Sequence, residues 1–291
     1  MKVVIIGNTG FIGNSIYNYL DKTKEYDLIG ISKNEIDLSG KESSITLSKY
    51  LTSDCIVVMC AGVKKQLGDN LDTFESNSAI INNFCSAISL VHPKKIIFFS
   101  SASVYGEDVD YDEKINEKTP VQPKTYYGIT KYTAERLLEK ICTENETEIV
   151  ILRPPLIYGK NDHSRGYGPT GFTYKAIESD EIILWGDGSE FREFVFVDDV
   201  PRVIHKLLNN NFSGILNIVS GRSYTFREIF DLLIKISESD IKIRLRQRSK
   251  EKVNHHYSNV LFKKVITDFQ FTQLDDGLTK MYKSIGSRLI N

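Results

Sequence analysis

The sequence predicts an α/β protein: a doubly wound parallel sheet followed by a smaller C-terminal lobe. Three observations carry this. Short runs that are apolar on both faces alternate with longer helical patterns through the first half of the chain. A glycine-rich turn joins the first of these runs to the first helix. After Arg153 the texture changes to glycine-rich and polar segments with shorter elements.

The elements follow in order. Val3–Ile6 is a strand and Phe11–Leu20 a helix. Leu28–Ile31 and Ile56–Cys60 are strands, and a long helix covers Leu71–Leu90. Ile96–Ser100 is a continuous apolar strand, and Tyr127–Cys142 is a helix. Ile149–Leu152 is a strand stopped by Pro154-Pro155, since proline cannot donate to a ladder. Beyond it come a helix near Thr173–Glu178, strands at Ile182–Trp185 and Phe194–Val197, and a helix from Asp198 or Asp199 to Leu208. A strand at Leu216–Val219 and a helix at Phe226–Ile236 follow. Residues 1–157, with some later segments returning to them, are expected to form the sheet domain, and residues 158–291 mainly the smaller lobe.

Composition narrows the class. Of 291 residues, 37 are Lys or Arg and 38 are Asp or Glu, a net charge of −1 that provides no global basic excess for nucleic acid or membrane binding. Cys55, Cys60, Cys85 and Cys142 form no CxxC pair and match no zinc spacing, so buried thiols in a reducing, cytoplasmic compartment are expected, with no metal. The apolar run after Met1-Lys2 is too short for a signal peptide or a membrane span.

Gly7-Asn8-Thr9-Gly10-Phe11-Ile12-Gly13 has strand before it and helix after it, the context of a dinucleotide-binding, Rossmann-type turn. The first glycine permits the tight turn, the second lets backbone approach a pyrophosphate, and the third lets helix and strand pack closely. The helix N-terminus offers N–H groups and a positive dipole end to the phosphates. The tip of the second strand reads Ile31-Ser32-Lys33-Asn34, where a hydroxyl and a cation suit a 2′-phosphate and tilt an NAD(P) site toward NADP. Asp37-Leu38 is placed to contact adenine. A solvated Lys33 is the alternative.

Ser100-Ser101-Ala102-Ser103-Val104-Tyr105-Gly106 follows the strand Ile96–Phe99, at the carboxyl end where open α/β sheets bind ligands. Tyr127 and Lys131 are four residues apart on one helix face. A nearby ammonium and an oxidised nicotinamide would favour the phenolate and lower the tyrosine pKa, and Ser101 would hydrogen-bond the reacting oxygen. The three residues form an acid–base device for alcohol–ketone interconversion coupled to hydride transfer. Arg248, in the alternating stretch Arg244, Arg246, Arg248, Lys250, is a candidate phosphate contact on one strand face.

The sequence resembles the extended short-chain dehydrogenase/reductase family of nucleotide-sugar epimerases, dehydratases and reductases. The glycine turn, Ser100–Gly106, Tyr127–Lys131, Arg153-Pro154-Pro155-Leu156-Ile157-Tyr158-Gly159 and Gly186–Val200 carry the likeness in order and spacing. It implies that Ser101, Tyr127 and Lys131 are catalytic, and that Cys60-Ala61-Gly62, Asn77, Ser100, Arg153 and Pro154 line or support the cofactor site. It also implies that Ser103 and Arg192 face substrate, with Arg192 reaching the diphosphate. A surface pair with Glu190 or Glu193 is the alternative for Arg192. The dehydratases carry Asp-Glu where this chain has Ala102-Ser103, so dehydration is not expected. His163 is read as an exposed loop residue. The resemblance implies an NAD(P)-dependent oxidoreductase or isomerase acting on a nucleotide-sugar by C4-keto reduction or C4 epimerisation; a homodimer is allowed for. A non-catalytic NAD(P)-binding sensor on the same fold, and a reductase of a non-nucleotide ketone, stay open beside it.

Overall fold

A computed structural model describes residues 1–163, 165–178, 181–238, 240–248 and 251–289. The chain divides into two compact units. The first comprises Met1–Glu107, Glu117–Pro154 and Val200–Asn217. Its strands are β1 (Lys2–Ile6), β2 (Asp27–Ile31), β3 (Ile56–Met59), β4 (Lys95–Phe99), β5 (Glu148–Arg153) and β9 (Gly214–Asn217). They form one parallel six-stranded sheet in the order β2-β1-β3-β4-β5-β9. Helices α1 (Phe11–Thr23), α2 (Ser43–Ser48), α3 (Leu71–Val91), α4 (Tyr126–Glu144) and most of α6 (Asp199–Leu208) belong to this unit.

The buried runs explain the architecture. Every residue of β3 and β4 is buried, as helix cover on both faces of a parallel sheet requires. Val4, Val57, Phe84, Leu138 and Ile151 are among the core residues that join sheet and helices. Even Lys95 in β4 is buried, and its ammonium donates to Leu207 O at 3.2 Å and Asn210 O at 2.5 Å, satisfying carbonyls at the end of α6. Strand order reverses between β1 and β3, so a crevice opens at the carboxyl ends of those strands.

The second unit comprises Asp108–Asn116, Pro155–Asp199 and Ile218–Asn291. It holds β6 (Leu156–Tyr158), α5 (Pro169–Glu178), β7 (Glu181–Trp185), β8 (Phe191–Phe196), β10 (Ser223–Thr225), α7 (Phe226–Ser237), β11 (Lys242–Arg246), α8 (Val260–Val265) and α9 (Leu274–Leu289). β10-β8-β6 make one small sheet and β11-β7 another. Phe172, Leu184, Phe196, Phe226, Leu233 and Leu278 lie in its own apolar core.

Several boundaries differ from the sequence expectations. The strand expected at Leu216–Val219 is Gly214–Asn217, and the one expected at Phe194–Val197 is Phe191–Phe196. Arg192 therefore lies inside a strand, opposite Tyr224, rather than ahead of it. β11 ends at Arg246, so Arg248 does not share its face with Arg244; Lys250 lies outside the described residues. β6, β10 and α9 were not expected, because their short or polar runs depend on partners distant in sequence.

Candidate active site

The glycine turn closes the carboxyl end of β1. Gly7 has φ +87°, and a Cβ there would lie 2.9 Å from Ala61 N, so this close strand crossing requires glycine. At Gly13 a Cβ would strike the Gly7 carbonyl oxygen, which is the helix–strand contact the third glycine was expected to permit. α1 opens at Gly10 with no side-chain cap, leaving its first-turn amides to a ligand or water. The buried Asn8 Oδ1 has no hydrogen-bond partner, so a polar acceptor stands unused in the turn.

A cavity of about 240 Å³ extends from this turn. Gly7, Thr9 and Gly10 line it, with Ser32, Lys33, Asp37 and Leu38 from the end of β2 and Cys60, Ala61 and Gly62 from the end of β3. Half of the expected cofactor residues thus line one cavity. Asn77 does not line it but builds it: its side chain accepts from Val63 N at 2.7 Å and donates to Val63 O at 3.1 Å, pinning the loop after β3. Lys33 is 79% exposed and sits 3.5 Å from Asp37 Oδ2. The Ser32 amide and hydroxyl both donate to Glu35 at 2.7 Å. Glu35 and Asp37 are held below the usual carboxylate range chiefly by these hydrogen bonds and by those of Ser39. The β2 tip is therefore less cationic than Lys33 alone suggests. An uncapped helix start, an unused acceptor and a glycine-walled cavity fit a dinucleotide.

Ser101, Tyr127 and Lys131 converge at the carboxyl end of β4. Thr125 caps α4 by accepting from Gly128 N, and Asp69 accepts from Tyr127 N at 3.0 Å, so two residues fix the start of the helix that carries Tyr127. Lys131 Nζ donates to Phe99 O at 2.6 Å and lies 5.8 Å from the Tyr127 ring centre. A Cβ on Gly62 would lie 3.8 Å from that ammonium, which puts the trio beside the cofactor cavity. Burial pushes the Tyr127 phenol up to about 12, opposed by a hydrogen bond with Ser101. Burial also lowers Lys131 to about 8, opposed by Cys60 and Glu135. Desolvation is opposed by the Ser101 hydrogen bond, and Tyr127 stands protonated at neutral pH, ready to donate.

Ser101 Oγ donates to Ser103 Oγ at 3.2 Å, and Ser103 Oγ donates to Glu107 Oε1 at 2.9 Å. Lys65 pairs with the other Glu107 oxygen. This file of polar groups was not foreseen, because Glu107 carries no motif.

Three residues expected to line or support the cofactor site are held by bonds within the chain. Arg153 is 2% exposed; its Nε and Nη2 donate to Glu135 and its Nη1 to the Tyr105 hydroxyl. Ser100 is buried and gives its hydroxyl to the same Glu135. Pro154 is buried, and its carbonyl accepts from Ala102 N at 2.9 Å. These residues brace the serine segment from beneath rather than line the cavity. Glu135 was missed, although its place four residues after Lys131 puts it on the same helix face.

In the second unit, Arg192 Nη2 meets Glu190 Oε1 at 2.5 Å, while Arg192 Nη1 donates to Phe191 O at 2.8 Å and Val253 O at 2.5 Å. Arg248 Nη1 meets the other Glu190 oxygen at 2.9 Å. The pair with Glu190, the stated alternative for Arg192, is formed, and it joins both candidate arginines. Trp185 carries the Arg246 guanidinium 4.7 Å above its ring. His163 is exposed.

Comparison with known proteins adds to this geometry. Residues 3–219 match the sequence pattern of the NAD dependent epimerase/dehydratase family. The chain is 24% identical to a GDP-6-deoxy-D-talose 4-dehydrogenase of Aggregatibacter actinomycetemcomitans, with 98% of each chain covered. Among solved structures it is similar to a variant UDP-glucuronic acid 4-epimerase from Bacillus cereus, in complex with a fluorinated UDP-glucuronic acid and NAD (TM-score 0.87, 20% identity, 99% of this chain and 100% of that one). It is equally similar to RMD from Pseudomonas aeruginosa complexed with NADPH (TM-score 0.87, 19% identity, 99% of each chain). At such identity these two likenesses establish the fold.

Proposed function

The chain belongs to the NAD dependent epimerase/dehydratase family, and from that membership we propose that it is an NAD(P)-dependent enzyme that works at C4 of a nucleotide-sugar, by keto reduction or by epimerisation. The observation that carries the reading is the convergence of Ser101, Tyr127 and Lys131 beside the glycine-walled cavity. A sensor would have no need of a phenol hydrogen-bonded to a serine hydroxyl with an ammonium beside them.

Bound nicotinamide would supply the hydride acceptor and donor at the sugar carbon. The chain's own residues do the rest. Tyr127, protonated at neutral pH, donates its Oη proton to the C4 oxygen as a ketone is reduced, and takes a proton from the C4 hydroxyl in the reverse direction. Ser101 holds the same oxygen by a hydrogen bond. Lys131, fixed on Phe99 O, places positive charge near the phenol and stabilises the phenolate left after donation. Gly7, Thr9 and Gly10 would hold the pyrophosphate with the α1 amides, and Ser32, Asp37 and Leu38 the adenosine.

The tilt toward NADP rests on Lys33, which would exchange Asp37 for a 2′-phosphate. Residues of the second unit, with Arg192 and Arg248, are read as the substrate lobe. No helix among the described residues is long and apolar enough to cross a membrane. The four free thiols support a cytoplasmic setting.

The test is a thermal-shift screen of UDP-, dTDP-, CDP-, ADP- and GDP-sugars with NAD and NADP, followed by turnover of the binders. Stabilisation by a cofactor and a nucleotide-sugar together, with turnover lost in Tyr127→Phe, is the expected result. Undiminished turnover in that variant would overturn the catalytic assignment.

A further inference from the structure

Arg192 and Arg248 are bridged by one carboxylate, and that carboxylate has no part in the proposed chemistry. Glu190 is only 15% exposed and offers one oxygen to each guanidinium. Asp187, at the turn before it, lies 4.0 Å from Arg248 Nη2. The two guanidiniums are thus each faced by a carboxylate. An anion arriving here would compete with a built-in one.

Two roles are open to such a carboxylate, and they have opposite consequences. A preorganising carboxylate weakens anion binding when it is lost. A carboxylate that opposes the ligand's charge strengthens binding when it is lost. The geometry decides between them. Arg192 is held by two backbone carbonyls, Phe191 O and Val253 O, without help from Glu190. Arg248 lies across Gly186, where φ is +60° and a Cβ would collide with the guanidinium. Its Nη2 is buried without a hydrogen bond, with the Asp187 carboxylate 4.0 Å away. Arg192 thus has an anchor that does not depend on the carboxylate charge. Electrostatic opposition therefore prevails.

We propose that Glu190 is a specificity-determining residue that makes this site discriminate between phosphate charge states. It favours the diphosphate diester of a nucleotide-sugar over the more highly charged terminal diphosphate of the corresponding nucleoside diphosphate. Repulsion grows with ligand charge, so the penalty falls harder on the terminal phosphate. The consequence is weaker occupation of the site by free nucleoside diphosphates. The proposal rests on the reading of Arg192 and Arg248 as diphosphate ligands.

Isothermal titration of the full chain tests it, with UDP, GDP, dTDP, CDP and ADP, each against its glucose ester, and with inorganic pyrophosphate. Glu190→Gln keeps the shape and removes the charge. It is expected to tighten the nucleoside diphosphate roughly tenfold and the ester roughly threefold, reducing the preference for the ester. Glu190→Asp keeps the charge and is expected to keep the wild-type preference. Weakening of both ligands by Glu190→Gln would show a preorganising role and overturn the proposal. Equal changes for ester and diphosphate, or none, would overturn it too. If Arg192→Ala abolishes binding while Glu190→Gln leaves the preference intact, the diphosphate reading stands and the discriminator falls. If no nucleotide binds either the wild type or Glu190→Gln, both fall.

Discussion

Arg153 and Glu135 meet through two parallel bonds, Nε to Oε1 at 2.9 Å and Nη2 to Oε2 at 2.6 Å, with side chains only 3% and 1% exposed. The pair sits under the serine segment, because Glu135 also takes the Ser100 hydroxyl and Arg153 the Tyr105 hydroxyl. Tyr105 in turn donates to Asn217 at 2.8 Å in β9, tying the last strand of the sheet to the same network. Arg153, Glu135, Ser100 and Tyr105 are bonded to one another, and breaking one member strands another.

Arg153→Met should therefore destabilise the protein by about 3–5 kcal/mol, since it leaves a buried carboxylate uncompensated. Arg153→Met with Glu135→Leu should recover most of that loss. Urea unfolding of the single and double variants checks it; additive losses would show that the two residues do not act as a pair.

Tyr127→Phe should keep the fold and lower turnover about 10²–10⁴-fold, the usual contribution of one general acid–base group. The measurement is kcat with whichever nucleotide-sugar the screen identifies, beside a melting curve. More than a tenth of wild-type kcat would remove Tyr127 from the chemistry.

Lys33→Asp should weaken NADP far more than NAD, and it also sets two carboxylates, 33 and 37, side by side at the β2 tip. Fluorescence titration with both cofactors reads the difference. An equal change for the two would mean that Lys33 serves only Asp37, its partner at 3.5 Å.

Arg192→Ala should raise the nucleotide-sugar dissociation constant roughly 10–100-fold, from the strength of charge-assisted bonds to a diphosphate. Cofactor affinity should hold, because the cavity is lined by residues of the first unit. Paired titrations with NADP and with nucleotide-sugar decide it. A parallel loss of both would mark Arg192, with its bonds to Phe191 O and Val253 O, as a structural residue.

Lys131 makes a pH signature. Burial lowers its folded value to about 8, whereas an unfolded lysine holds its proton to about 10.4. Between these values the unfolded chain binds the extra proton, so this residue makes stability rise with pH. Lys131→Met should abolish that rise, and the wild type should gain on the variant by about 1–2 kcal/mol between pH 7.5 and 9.5. Urea midpoints at the two pH values measure it. A constant gap would show that Lys131 is solvated.

The first six-stranded sheet was legible in the sequence because its strands are continuous apolar runs, such as Ile96–Phe99, separated by helices whose spacing is local. The glycine turn and the Tyr127–Lys131 spacing were legible for the same reason: each requirement is satisfied within a few residues of chain. Tertiary structure alone decided what depends on partners far apart in sequence. It turned Arg153 and Ser100 inward onto Glu135, because a buried guanidinium must be neutralised by a carboxylate. It placed Arg192 and Arg248 on opposite oxygens of Glu190. It also buried the Tyr127 phenol, which raises its pKa, an effect that the spacing to a lysine does not reveal. A motif specifies which groups are present and on which face, but desolvation and charge pairing depend on what the rest of the chain packs around them.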